Sequence, residues 1–449
     1  VSGIAGVNQP GKEHTVKKML KKISHRGDAG WRVKKIENAT LGIVYAESQK
    51  KSLSRLMQKN EASDSNGSGH LALAKVKENS IILKRDPLGI APLFYGKDGE
   101  GTLCFASEVK ALIDFCSDVK LVPPGCILDG EQVTSYYELE KKEPLKIEPE
   151  IIAKHLKHLI KSAIERKTDQ AAERGCWLSG GLDSSVIASL ISANGHKLYT
   201  FAAGLEGSPD LEFALAVAQF IDSEHHEVVL HFNNFLSVLP EVIYHLESFD
   251  ALLVRSGIVN YIVAQKASEY VNEVLSGEGG DELFAGYHYL KRLPPEELED
   301  ELIDITKRLH NTALQRVDRS ASAHGTVAHV CFLDPEVVDY ALRIPVEYKI
   351  RDNIEKWILR VAFDGMLPEQ VLNRKKSKFW EGAGVGELMS DYADSTITDH
   401  DFRRERILKN SWIINSKEEL FYYRIFLEQF GELENLSWMG RTKGVSAIE

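Results

Sequence analysis

The stretch that most constrains this chain is Cys176-Trp177-Leu178-Ser179-Gly180-Gly181-Leu182-Asp183-Ser184-Ser185-Val186. A short apolar run enters it, and an apolar, helix-compatible run to Ile191 leaves it. Paired glycines let a backbone turn tightly and approach a ligand closely. The N–H groups opening a helix, helped by its dipole, form an anion site. Serine hydroxyls add donors, and Asp183 can hold a divalent cation. The stretch reads as a pyrophosphate cradle at a strand-to-helix turn. No lysine follows the glycines, so it is not the GxxxxGK[ST] loop. A plain Gly-rich turn with a Ser or Asp cap is the alternative reading.

A second motif, Ser276-Gly277-Glu278-Gly279-Gly280-Asp281-Glu282, crowds three carboxylates among three glycines after an apolar strand. Unpaired carboxylates repel, so such a cluster suggests a cation, with an acidic surface turn as the alternative. A third, Arg374-Lys375-Lys376-Ser377-Lys378-Phe379-Trp380-Glu381-Gly382-Ala383-Gly384, sets cations before an aromatic pair and glycines. By itself a cationic run is usually a solvated face. From Leu198 onward strand-like and helix-like segments alternate, which argues a parallel sheet with helices on both faces. Leu198–Ala203, Glu227–His231 and a segment ending at Val274-Leu275 read as strands. Residues 211–221 and 259–270 read as helices. Residues 297 to about 430 read as mostly helical, over 297–310, 312–324, 335–343 and 353–366. The tail from Glu432 has no periodicity and is expected to be mobile. Residues 1 to about 147 read as short strands with turns, with Glu61–Gly69 a polar, mobile loop. The charged, proline-containing 141–146 is placed as a linker, giving domains 1–147 and 148–449.

Composition narrows the classes. At 449 residues two or more domains are expected. The net charge of −11 does not favour nucleic acid as a partner. No stretch approaches the roughly 20 apolar residues of a membrane span, and the secretory order of basic, apolar and small residues is missing. Five scattered cysteines without a CxxC pair fit reduced thiols in a cytoplasm.

Ser-Gly-Gly-Leu-Asp-Ser resembles the pyrophosphate loop of the ATP pyrophosphatase superfamily. With the other two motifs the chain resembles the class B asparagine synthetase family, which includes the β-lactam and carbapenam synthetases. The resemblance implies an α/β fold: an N-terminal-nucleophile αββα sandwich, then a doubly wound parallel-sheet ATP pyrophosphatase domain with a helical C-terminal part. It implies ATP held by Trp177, Ser179, Gly180, Gly181, Leu182, Asp183, Ser184, Ala203, Ser276 and Gly277, with Mg²⁺ shared by Asp183, Asp281 and the phosphates. It places Glu278 near the reacting carbonyl as a base and Lys376 over the α-phosphate, and Arg255 and Arg316 near the carboxylate substrate. The β-lactam synthetases carry Tyr where Glu278 stands. The family's sandwich begins with a catalytic Cys; here Ser2 stands there, after Val1, and neither the pocket Arg nor the Asn-Gly-Glu motif is found. A sandwich without glutaminase activity is therefore expected. Leu252-Leu253 replaces Thr-Thr before Arg255, Val327 and His329 stand for Glu and Arg, and Ala313 for an acidic residue. Such a pocket should bind a free amino-acid zwitterion less well. His225 and His226 read as structural, with no third ligand in spacing.

The expectation is an ATP-dependent, AMP- and pyrophosphate-forming amide synthetase acting on a small carboxylate with ammonia or an amine. A specialised amide or β-lactam-type synthetase using a non-aspartate carboxylate, and a non-catalytic ATP-binding paralogue, stay open. So does assembly as a homodimer. A tRNA-modifying pyrophosphatase is disfavoured by the acidic balance.

Overall fold

The computed structural model describes residues 2–58, 60–65, 70–78, 80–167, 173–193, 195, 197–374 and 386–443. Its first part is a sandwich of two antiparallel sheets. One holds β1 (Ser2–Val7), β2 (Trp31–Ile36), β3 (Ala39–Tyr45), β7 (Phe94–Lys97), β8 (Leu103–Ala106) and β9 (Lys120–Leu121), in the order β2-β3-β1-β8-β7-β9. The other holds β4 (Glu61–Ser65), β5 (Leu71–Lys77), β6 (Ser80–Arg85), β10 (Cys126–Asp129) and β11 (Gln132–Ser135), in the order β11-β10-β6-β5-β4. Alternation along the strands makes the layers, because successive side chains face opposite ways. Ile4, Leu41, Ile43 and Phe105 of one sheet meet Ala72, Ala74, Ile81, Leu83 and Leu128 of the other. On the far side of the first sheet, Ala5, Val7 and Val44 pack against Val16, Met19 and Leu20 of the helix Glu13–Lys22.

Two expectations for this part are corrected. The polar run at Glu61 is an edge strand to Ser65, paired in register with β5. Its alternate residues Ala62 and Asp64 are buried, and Asp64 has partners for its charge there. The tail from Glu432 is packed as far as it is described. Trp438 is buried with its ring edge-on to Phe94, and Asn435 donates to Val119 O at 3.1 Å.

The segment 136–148 contains no helix or strand, and Leu145 N donates to Arg343 O at 2.8 Å. The helix Pro149–Lys167 follows, burying Ile152, Leu156, Ile160, Ala163 and Ile164. Next comes a parallel sheet of β12 (Arg174–Trp177), β13 (Leu198–Leu205), β14 (Glu224–Leu230), β15 (Glu273–Ser276) and β16 (Val327–Val330), ordered β14-β13-β12-β15-β16. The helices Pro209–Phe220 and Ala251–Ser268 match the sequence reading, the second beginning earlier than expected because Asp250 caps it through Leu253 N at 2.9 Å.

The C-terminal part, read as mostly helical, contains strands in two places. β16 adds a strand to the sheet edge, in register with β15. The expected helix 353–366 is a hairpin, Ile350–Arg351 with Ile354–Glu355, followed by a short helix Trp357–Ala362. Asp352 and Asn353 adopt positive φ at the hairpin tip, which stops helix formation there. The order of strand addition switches sides at β12: β13 and β14 build outward on one side, β15 and β16 on the other. In such sheets ligands bind at the carboxyl ends of the strands where the order reverses. Here that point lies between β12 and β15.

Candidate active site

The loops leaving β12 and β15 form the two lips of a cleft. Gly180 turns the first with φ +64°, and a Cβ there would lie 2.4 Å from Phe213 Cβ. Ser184 Oγ donates to Gly181 O at 3.1 Å and accepts from Ser179 N at 3.3 Å, which ties the loop onto the helix Leu182–Ser192. The second loop comes so close that a Cβ on Gly280 would lie 2.5 Å from Asp183 Cγ. Gly277 and Gly280 thus let the second loop close onto Ser184 and Asp183 of the first.

The cleft is lined by Trp177, Leu178, Ser179, Gly181, Asp183 and Ser184 from the first loop, and by Ser276, Gly277, Glu278 and Asp281 from the second. Phe201, Ala202, Ala203 and Asp210 close one side, and Asn260 and Val263 of the helix Ala251–Ser268 another. Its empty space is about 720 Å³, open solvent at the mouth included. Trp177 Nε1 is a buried donor with no partner among the described residues. Gly180 and Leu182 shape the loop and the first helical turn but are not part of the lining.

Behind the lips lies a charge arrangement the sequence reading missed. Lys356 is buried and places Nζ 2.5 Å from Asp183 Oδ2 and 2.6 Å from Asp281 Oδ1. Nothing in Glu355-Lys356-Trp357 marks this lysine in the sequence, since only the tertiary fold brings it to the two aspartates. Glu282, beside Asp281, is buried and accepts from the Tyr287 hydroxyl. Burial first, then the neighbouring Asp281, push its carboxyl up to about 8.

Glu278 lines the cleft and is paired with Arg316, which is not itself among the lining residues. Arg255 is held elsewhere: Nε donates to Glu418 Oε1 at 2.7 Å, and the Tyr422 hydroxyl donates to the same buried carboxylate at 2.7 Å. Arg255 is not among the residues that line the cleft. Leu253 is buried. Lys376 lies outside the described residues. Arg374 is anchored at the first loop: NH1 donates to Ser179 O at 3.2 Å, NH2 pairs with Asp210 at 2.5 Å, and the guanidinium lies over the Phe213 ring. The tandem histidines serve packing. His225 Nδ1 is 2.9 Å from Thr200 Oγ1, and His226 stacks on Phe201.

Asp183 and Asp281 offer the hard oxygen donors that suit Mg²⁺, an ion that usually takes one or two carboxylates together with substrate phosphates and water. No group of three or more His, Cys, Asp or Glu able to hold a metal occurs among the described residues. The donor set fits a magnesium that arrives with phosphate, and Asp183 and Asp281 would hold it.

In the sandwich, Ser2 is fully buried. Its hydroxyl donates to Asp64 Oδ1 at 2.6 Å, and its carbonyl accepts from Arg26 Nε at 2.9 Å. Arg26 belongs to a buried cluster that joins the sandwich to the helix Ala313–Ser322. It pairs with Glu108 at 2.9 Å and Asp318 at 2.8 Å, while Arg319 pairs with Glu247 at 2.9 Å.

A family model described as asparagine synthase matches residues 155–304 and 295–438, and one described as a glutamine amidotransferase domain matches residues 54–173. The chain is 35% identical over 384 residues to asparagine synthetase [glutamine-hydrolyzing] 2 of Lotus japonicus, covering 80% of this chain and 65% of that protein. It is 33% identical over 391 residues to asparagine synthetase B [glutamine-hydrolyzing] of Escherichia coli K12, covering 82% of this chain and 70% of the relative. A probable asparagine synthetase [glutamine-hydrolyzing] of Schizosaccharomyces pombe is 34% identical over 391 residues, at 79% and 70% coverage. The chain thus spans about two thirds of the length of these relatives. With motifs, sheet order and cleft in agreement with these matches, the chain belongs to the asparagine synthase family.

Proposed function

We propose that this chain is an ATP-dependent amide-forming ligase. A carboxylate oxygen attacks the α-phosphorus of ATP, pyrophosphate leaves, and ammonia or an amine then attacks the acyl carbon, displacing AMP and losing a proton. The observation that carries this is the pair of glycine-rich loops at the sheet's reversal point, with two aspartates set where a magnesium triphosphate would lie. The N–H groups opening the helix Leu182–Ser192 and the Ser179 and Ser184 hydroxyls would hold pyrophosphate oxygens. Bound magnesium would neutralise phosphate charge and make pyrophosphate a better leaving group. Trp177 and the strand Phe201–Ala203 would face the nucleoside. Glu278, on the cleft wall, would take the proton of the attacking nitrogen, and Arg316 would keep that carboxylate in place. Lys376 would stabilise charge on the α-phosphoryl oxygens, a contact of a kind worth roughly 3–4 kcal/mol. Arg374, two residues earlier, brings the chain to the pyrophosphate loop.

The division of labour follows the proposed boundaries. Residues 148–449 carry the synthetase, and residues 1–147 a sandwich without a working glutaminase. Supporting the second point, Ser2 sits inside a paired strand with hydroxyl and carbonyl both engaged. Five free, buried cysteines fit a reducing cytoplasm. No helix among the described residues is long and apolar enough to cross a membrane.

A second reading keeps the chemistry and changes the acid. With Arg255 committed to Glu418 and Leu253 buried, a carboxylate less polar than aspartate is favoured. ATP–pyrophosphate exchange with a panel of carboxylates, aspartate included and amine omitted, tests both. Exchange with aspartate at sub-millimolar concentration removes the second reading. Exchange with no acid counts against adenylation altogether. Release of glutamate from glutamine would refute the loss of glutaminase activity.

A further inference from the structure

Lys356 reaches between Asp183 and Asp281 and pairs with both. Several features of the fold put it there. Its backbone adopts φ 55°, ψ 32°, a left-handed conformation that residues with a Cβ enter only at a cost, and which persists where the surroundings impose it. The surroundings are specific. Glu355, the residue before, is held by Lys291 at 2.5 Å and by Arg360 at 3.1 Å. Gly286 leaves the channel for the lysine arm: a Cβ there would fall 2.2 Å from Lys356 Cε and 1.9 Å from Asp281 Oδ1.

We propose that Lys356 is a resident counter-ion that keeps the aspartate pair from loading a free divalent cation, so that metal enters only with a nucleotide. This rests on the ATP reading given above. An ammonium and a magnesium ion compete for the same carboxylate oxygens. The ammonium offsets carboxylate charge that would otherwise attract a metal, and a bare metal that displaced it would strand a buried cation without these partners. A triphosphate changes the balance. It brings oxygens for the metal and for the displaced ammonium, so Lys356 exchanges carboxylate partners for phosphate partners while the metal takes the aspartates. The lysine is thereby a positioning residue for the metal, whatever contact it makes later.

The test is Mn²⁺ binding to the nucleotide-free full chain, read by the loss of the free-ion electron paramagnetic resonance signal. It compares wild type, Lys356→Gln, Lys356→Met and Lys356→Arg. We expect weak binding by wild type and by Lys356→Arg, and at least about tenfold tighter binding by the two neutral variants once the competing charge is gone. Equal affinities in wild type and the neutral variants overturn the proposal. Circular dichroism checks folding. Should neither neutral variant fold, the wild-type lysine ammonium is followed in ¹H–¹⁵N spectra: a Lys356 signal that moves with Mg²⁺·ATP and not with Mg²⁺ alone supports the proposal, and one that moves with Mg²⁺ alone overturns it. A parallel equilibrium dialysis with ATP present, counting protein-bound Mn²⁺ because ATP itself removes the free-ion signal, separates the two levels of inference. If wild type takes up no Mn²⁺ even with ATP, the nucleotide–metal reading falls and this inference with it. If ATP brings Mn²⁺ in but the bare affinities are equal, only the role of Lys356 falls.

Discussion

Replacing Arg26 by alanine should destabilise the whole chain far more than its position in a short N-terminal segment suggests. The guanidinium is fully buried. It donates to Ser2 O at 2.9 Å, Glu108 at 2.9 Å, both oxygens of Asp318 at 2.8 Å and Ser322 at 3.3 Å. Not all of these losses count in full. Glu108 keeps Lys110 at 2.5 Å and Arg319 at 3.4 Å, and Asp318 keeps Arg319 at 3.0 Å. What remains is one broken buried ion pair, about 3–5 kcal/mol. The unpaired Ser2 carbonyl adds about 1–3 kcal/mol if no water reaches it. A total of about 4 kcal/mol or more is expected, against about ±0.5 kcal/mol for an ordinary surface site. Urea unfolding with intrinsic fluorescence measures it as a fall in midpoint. Arg26→Met combined with Asp318→Asn should cost less than the sum of the two single changes, because the second removes the charge that the first strands. A loss below about 1 kcal/mol for Arg26→Ala would refute the argument, since it would put the cluster in the solvent-screened regime of surface pairs.

Two further outcomes follow from the same geometry. Gly280→Ala places a Cβ 2.5 Å from Asp183 Cγ and Oδ1, so it should displace that carboxylate at an overpacking cost of about 1–3 kcal/mol and weaken ATP binding at least tenfold by calorimetry. In acid, buried histidines should erode stability. Burial is the leading cause holding His324 at about 4, His310 at about 3 and His245 at about 2, all below the ordinary 6.5. Each is neutral in the fold, so its contribution is complete above pH 6.5 and is lost as pH falls below 6.5 toward the folded value, where only the unfolded chain binds the proton. His324→Gln should flatten that limb by up to about 3 kcal/mol; an unchanged pH profile of the unfolding midpoint would contradict it.

Much of the site could be read before any coordinates. Ser179–Ser184 and Ser276–Asp281 carry their chemistry in contiguous residues, and the alternating strands and helices around them imply a parallel sheet whose loops end at one edge. The strands β12, β13 and β15 followed from apolar periodicity, which depends only on local geometry. Where reading failed, the deciding contact was remote. Glu61–Ser65 looked like a loop because its residues are polar, yet Asp64 has His70, Arg26 and the Ser2 hydroxyl as partners, and these hold its carboxyl down at about 2 against the opposing effect of burial. The segment 353–366 looked like one helix because its apolar spacing fits, but a hairpin tip interrupts it.

The sequence alone therefore determined the family and the sheet with its two glycine-rich loops. Only the tertiary structure decided how the charges are shared: Lys356 between Asp183 and Asp281, Arg316 on Glu278, Arg255 on Glu418, and Arg26 at the junction with Asp318. The reason is physical. Backbone periodicity and glycine stereochemistry act over a few residues, whereas a buried charge is stabilised by whichever opposite charge the fold brings within about 3 Å, and that partner can stand anywhere in the chain.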